Sequence, residues 1–158
     1  MNELSHLDPE GRASMVDVGA KDATRREAVA RGRVRMSEAT LALVERAALP
    51  KGDVLATARI AGILAAKATP SLVPLTHPIA LTFIGVEFEI DRSLPGIAIV
   101  ATARCEGKTG VEIEAMTACA VAALTIYDMC KSAEKGIVIE SIALERKSGG
   151  KSGSWKRA

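Results

Sequence analysis

Residues 110–131, GVEIEAMTACAVAALTIYDMCK, constrain this chain more than any other stretch. No charge interrupts them between Glu114 and Asp128, and small and apolar residues fill the interval, so they predict one long, largely buried helix. Its ends differ from its middle: Glu112 and Glu114 stand in the first turn, Asp128 and Lys131 in the last. At roughly 3.6 residues per turn, Glu114, Thr117, Val121, Thr125, Asp128 and Lys131 fall along one stripe. Ile113, Met116, Ala120, Leu124 and Tyr127 form an adjoining apolar one. A polar stripe on an otherwise apolar helix suggests a cleft wall. The plainer reading is a surface ion pair between Asp128 and Lys131, which share a face and are of a kind common on protein surfaces.

Such a helix needs a sheet to bury it, and the flanking sequence supplies one. Residues 27–36 alternate, with Ala28, Ala30, Gly32, Val34 and Met36 pointing one way and charged residues mostly the other, as in a half-buried strand. Ser37 caps a short helix to about residue 47, and Asp53 a second over 54–68, which Pro70 ends. Residues 83–91 and 97–105 read as an antiparallel hairpin turned through 93–96, and residues 137–144 as a last strand. Counting the early helices as one crossover gives β-α-β-β-α-β. That is an α+β, ferredoxin-like order with a four-stranded antiparallel sheet and helices on one face. Arg31, Arg33, Arg35, Glu87 and Glu89 then either solvate the open sheet face or meet another subunit.

The organisation expected is an extended arm over 1–24, one domain over 25–147 and a flexible basic tail over 148–158. Residues 14–18 are read as a short strand within the arm. The arm is either a loose terminus or a cover for a site or a neighbouring subunit. Between the second helix and the hairpin runs TPSLVPLTHPIA, stiffened by Pro70, Pro74 and Pro78, with His77 held immediately before Pro78.

Composition excludes several functions. A net charge of +2 is too small for nonspecific nucleic-acid or membrane binding, and 3% aromatic residues leave few platforms for stacking bases. Cys105, Cys119 and Cys130 form no CxxC and no zinc spacing, and His6 and His77 are the only histidines. No metal site is expected. With no signal peptide evident and an uncharged helical run too short for a bilayer, a cytoplasmic protein is expected. Gly150-Lys151-Ser152 imitates the end of a phosphate-binding loop, but that motif needs glycine where Glu145 stands and a helix afterwards. What remains is a set of cations at turns and helix ends: Arg26, Lys51, Lys131, Lys147 and Lys151. Each alone is a solvated charge. Together with His77 and the Asp128–Lys131 pair they suit a pocket for a phosphorylated metabolite, with glycine-flanked lysines on a closing loop.

The strings MVDVGAK (15–21), KGDVLATARIAGILAAK (51–67), PLTHP (74–78), GKTGVEIEAMTACAVAALTIYDMCK (107–131) and KSGGKSG (147–153) resemble the cyclic pyranopterin monophosphate synthase family of molybdenum-cofactor biosynthesis. The resemblance spans nearly the whole chain. It implies conversion of 3′,8-cyclo-7,8-dihydroguanosine triphosphate to cyclic pyranopterin monophosphate with loss of pyrophosphate. That is lyase chemistry following a radical enzyme that joins the guanine to its ribose. It also implies a homohexamer, a trimer of dimers with sites at subunit boundaries, and no redox cofactor, with Mg²⁺ assistance left open. Carried over by position, Asp128 and Lys131 are the acid–base pair, and Leu75, Thr76, His77, Ile113 and Glu114 bind substrate. Lys51, Glu112, Arg26 and Lys147 match further site residues, some reaching from a neighbouring subunit. Thr76 replaces the family's usual Cys and Ile113 its Met, so an inactive member is one alternative. The other is a noncatalytic ligand- or RNA-binding module, disfavoured because the strands expected to be central offer only Phe83 and Phe88 as aromatic residues.

Overall fold

The alternation in residues 27–36 becomes β1 (Thr24–Arg35), whose residues Ala28, Ala30 and Val34 are fully buried beneath the helices. The computed structural model describes residues 10–158; His6 and the rest of residues 1–9 lie outside the described residues. After β1 come α1 (Glu38–Glu45), α2 (Val54–Lys67) and a single helical turn, α3 (Thr69–Leu72). β2 (Leu81–Asp91) and β3 (Gly96–Gly107) form the hairpin, followed by α4 (Glu112–Cys130), β4 (Val138–Ser148) and β5 (Trp155–Lys156). All strand pairs are antiparallel, in the order β2-β3-β1-β4-β5. The first four are the ferredoxin-like sheet.

Three expectations need correction. The sheet has five strands, because the chain turns back after Ser148 and pairs Trp155 with Lys147 and Lys156 with Arg146. No strand forms at 14–18. Only Ala13 makes a bridge, and the carbonyls of Val16 and Gly19 are bonded by the His77 and Lys108 side chains instead of by a strand. Pro70 does not simply stop a helix. It lies in the first turn of α3, where its missing N–H has no partner to lose, so the helical path resumes directly after Ala68.

The expected caps form. Ser37 Oγ accepts from Thr40 N–H at 3.3 Å, and Asp53 Oδ1 accepts from Ala56 N–H at 2.9 Å. Glu134 accepts from Ser37 N–H and Oγ–H, tying the α4–β4 turn to the start of α1.

α2 and α4 pack together on one face of the sheet. The side of α4 that faces inward is Ala115, Ala118, Cys119, Ala122, Ala123 and Ile126. Ile113 and Leu124 of the adjoining apolar stripe face outward, 39% and 59% exposed, while Met116 and Tyr127 pack partly against the core. Close approach explains why small residues line the inner side. A β-carbon on Gly62 of α2 would sit 2.8 Å from the Ala118 carbonyl oxygen, so only small residues fit between these helices. By length and composition α4 could cross a membrane, but half of that window is buried within the fold. Burial of Ile97 and Ile99 of β3 and Ile126 of α4 contributes about 1.5–3 kcal/mol each.

On the open face Glu27 bridges Arg104 and Arg146, and Arg33 spans Asp91 at 2.7 Å and Glu140 at 3.0 Å. Phe83 lies on edge strand β2 with the Arg104 guanidinium 4.7 Å from its ring centroid. The two central strands, β1 and β3, carry no aromatic residue.

Candidate active site

The β3–α4 junction, Gly107-Lys108-Thr109-Gly110, brings a strand end and a helix N-terminus to one place, and two cavities meet there. The first, about 410 Å³, lies between the proline-stiffened loop, the first turn of α4 and the N-terminal arm. Leu75, Thr76, His77, Glu112, Ile113 and Glu114 all line it, so six of the expected site residues converge from two distant segments. Its size suits a small heterocycle. Val16 and Val18 close it from the arm, and His77 Nε2 donates to the Val16 carbonyl at 2.8 Å. Thr76 Oγ1 donates its hydrogen to the Val73 carbonyl at 2.8 Å.

The second cavity, about 590 Å³, shares Lys21, Thr109, Gly110 and Glu112 with the first. Lys21, Arg26, Lys108, Lys147 and Lys151 ring it, against the two carboxylates of Asp22 and Glu112. The lining is therefore net positive. Arg26 is braced by donating to the carbonyls of Gly107 at 2.8 Å and Lys108 at 3.2 Å. Lys147 Nζ reaches Glu112 at 3.1 Å and Ser152 Oγ at 2.9 Å, tying the returning tail to the helix start.

Glycine is required where the tail crosses β1. Gly149 has φ +96°, and a β-carbon there would lie 2.2 Å from the Arg25 carbonyl oxygen; one on Gly150 would lie 2.1 Å from Arg26 Nη1. The Gly149 clash is with backbone and cannot be relieved by a side-chain rotation. Gly149→Ala is therefore expected to displace residues 149–152 and weaken inorganic pyrophosphate binding roughly tenfold by calorimetry. The melting temperature should hold, since no core residue moves.

The third group stands apart. Asp128 lies between Lys131 Nζ at 2.7 Å and Lys51 Nζ at 2.6 Å, and Lys51 also donates to the Asp128 carbonyl at 3.1 Å. All three side chains are half-exposed. Sixteen residues of helix separate Asp128 from Glu112, about 24 Å at roughly 1.5 Å per residue. One chain therefore does not bring Asp128 and Lys131 to the His77 loop. Nor is the polar stripe of α4 one continuous wall: Thr125 in its middle donates to the Val121 carbonyl at 2.7 Å, and only the first turn of α4 lines the cavities.

Hydrogen bonds from Lys131 and then Lys51 hold the Asp128 carboxyl down at about 2. The same contact raises Lys131 above the ordinary lysine value. The carboxylate in direct contact with the ammonium is the cause. By linkage, Asp128 favours the folded state above its ordinary value of 3.8, and that contribution is lost as pH falls through about 2.

Among the described residues, the buried side-chain oxygens without a partner are Glu114 Oε1 and Thr24 Oγ1. Both residues line the cavities, Glu114 the first and Thr24 the second. Glu114 is 2% exposed, and burial chiefly raises its carboxyl above the usual range. Unpartnered buried oxygens are costly, and a ligand in these cavities is their natural complement. Burial likewise pushes the Cys119 and Cys130 thiols up to about 11 and raises Cys105, so none is a ready thiolate.

Sequence reasoning missed Lys21, Lys108 and Thr24 as cavity residues.

A family model described as the MoaC family matches residues 15–150. A protein of Roseiflexus named cyclic pyranopterin monophosphate synthase is 59% identical over 155 residues, covering 98% of each chain. Proteins of the same name from Chloroflexus aurantiacus and Bordetella pertussis are 57% identical over 156 residues and 56% identical over 153 residues. These cover 99% and 97% of this chain and 96% and 95% of the relatives.

Proposed function

Because the chain belongs to the MoaC family, we propose that it is a cyclic pyranopterin monophosphate synthase. It converts 3′,8-cyclo-7,8-dihydroguanosine triphosphate to cyclic pyranopterin monophosphate and pyrophosphate, as a cytoplasmic lyase. The observation that carries this reading is the pair of joined cavities. One is sized for a guanine-derived ring, and the other is ringed by five cations for its triphosphate.

The ring occupies the first cavity, beside His77, Leu75 and Ile113, where Glu114 supplies a buried acceptor for ring N–H groups. The phosphate chain extends into the second, where Arg26, Lys147 and Lys151 neutralise it and the charge that develops on departing pyrophosphate. Opening an imidazole ring, closing a pterin ring and forming a cyclic phosphate move protons and break a phosphorus–oxygen bond. No electrons are transferred, so the reading needs no redox cofactor. Lys131, kept protonated by Asp128, starts as the acid; Asp128 orients it and holds its charge, with Lys51 alongside.

These last three groups reach the substrate from a neighbouring protomer. Ile60 and Leu64 of α2 and Leu124 of α4 are each more than half exposed, an apolar helix face suited to a second copy. The assembly proposed is a trimer of dimers. Thr76 is a pocket-lining residue whose hydroxyl hydrogen is engaged by Val73, so the mechanism places no covalent step there.

Incubating the purified chain with the cyclised triphosphate and measuring pyrophosphate and cyclic pyranopterin monophosphate tests the proposal. Both products are expected in equal amounts. Binding without products would instead identify an inactive family member, and no binding at all would overturn the reading.

A further inference from the structure

The N-terminal arm is held over the two cavities by side chains reaching out from the domain. Lys108 Nζ donates to the Gly19 carbonyl at 2.6 Å, and His77 Nε2 donates to the Val16 carbonyl at 2.8 Å. Between these tethers the arm is folded on itself. Gly19 N–H donates to Asp17 Oδ1 at 2.7 Å, and Lys21 N–H donates to the Val18 carbonyl at 3.1 Å. The result is a tight turn over residues 17–21 whose last residue, Lys21, lines both cavities.

Lys21 and Lys108 use their charges differently. Lys108 is committed to a backbone carbonyl, whereas the Lys21 ammonium has no partner among the described residues. The arm has one bridge, at Ala13, and no strand pairing across 14–18, so beyond Ala13 the side-chain tethers hold it in place. Without the Gly19 tether, Lys21 would sample solvent, and holding it at the cavity would fall to the anion alone.

We propose that Lys108 is a positioning residue. By bonding Gly19 it holds the 17–21 turn so that the Lys21 ammonium faces the phosphate chain where the two cavities join. This rests on the synthase reading for the identity of the anion, but the tether itself is a property of the free protein. Lys108 acts through Lys21, and Asp17 supports the same turn from within the arm.

The test compares Lys108→Met, which keeps the length but not the donor, with Lys108→Arg, which keeps a donor. Lys108→Met is expected to raise KM for the cyclised triphosphate roughly tenfold with kcat little changed, and Lys108→Arg to restore most of it. In a Lys21→Ala background, Lys108→Met should add nothing, because the residue it positions is gone. Independently of turnover, hydrogen exchange of residues 15–21 in the substrate-free protein should quicken severalfold in Lys108→Met and not in Lys108→Arg. Unchanged exchange in Lys108→Met would overturn the tether. Additive KM effects with Lys21→Ala would show that Lys108 contacts phosphate itself and overturn the positioning role. Quickened exchange in Lys108→Met, with a parent chain that makes no product, would leave the tether standing and overturn only the synthase reading.

Discussion

Asp128→Ala and Lys131→Ala will each release pyrophosphate from the cyclised triphosphate roughly a thousandfold more slowly than the parent chain, and both will fold and assemble. The fold survives because neither side chain belongs to the core: both are half-exposed, while α4 is anchored by Ala115, Ala118, Cys119, Ala122 and Ile126. In the proposed mechanism Lys131 is the protonated acid and Asp128 sets its orientation, so the loss of either lowers activity. With Asp128 gone, Lys131 loses the contact that raises its pKa and the partner that aims it. Lys131→Arg separates charge from proton transfer, since guanidinium keeps the first and gives up its proton far less readily. It should bind substrate and still fail to turn it over. The pH profile carries a further sign. Since the Asp128 carboxyl titrates at about 2, an acidic limb in kcat/KM between pH 5 and 7 would belong to another group. Turnover by either alanine variant within tenfold of the parent would remove the pair from the mechanism.

The sequence expressed the sheet plainly because strand alternation is local: each residue reports its own side of the pleat. β1 to β4 follow from that pattern and from the turn at 93–96. α4 was legible as a buried helix but not in its orientation. The pattern divided the helix into a polar and an apolar stripe without saying which side meets the sheet, and the helix approaches its neighbours so closely that alanines face inward. Which side packs depends on the distance between elements, and that is not a local property. β5 was missed for the same reason, since two residues carry no period and the pairing of Trp155 with Lys147 depends on a glycine turn doubling back. The chemistry of the site was legible piecewise. His77 before Pro78 and Glu112–Glu114 at a helix start were visible, but their meeting around one cavity is a fact of tertiary structure. Lys108 was hidden because a lysine in a polar turn looks like any solvated charge until its partner, Gly19, is known.

Mixing His77→Ala with Asp128→Ala, each inactive alone, is expected to restore about a quarter of the parent activity after the subunits exchange. The figure follows from a two-fold site. Random exchange makes half the dimers mixed, and each mixed dimer pairs one sound cavity with one sound Asp128–Lys131 end. The geometry of α4 makes such sharing natural. Its exposed apolar residues, Ile113 and Leu124, stand on either side of Ala120, which is eight residues from both Glu112 and Asp128. Two copies packed antiparallel about that point would set the Asp128 end of one helix beside the Glu112 end of the other. The separation of about 24 Å that divides the site within one chain is then closed between chains. Ile60 and Leu64 of α2, the helix packed against α4, are also exposed. Mass spectrometry of the mixture establishes that hybrid assemblies have formed. Hybrids that regain no activity would overturn the shared two-fold site.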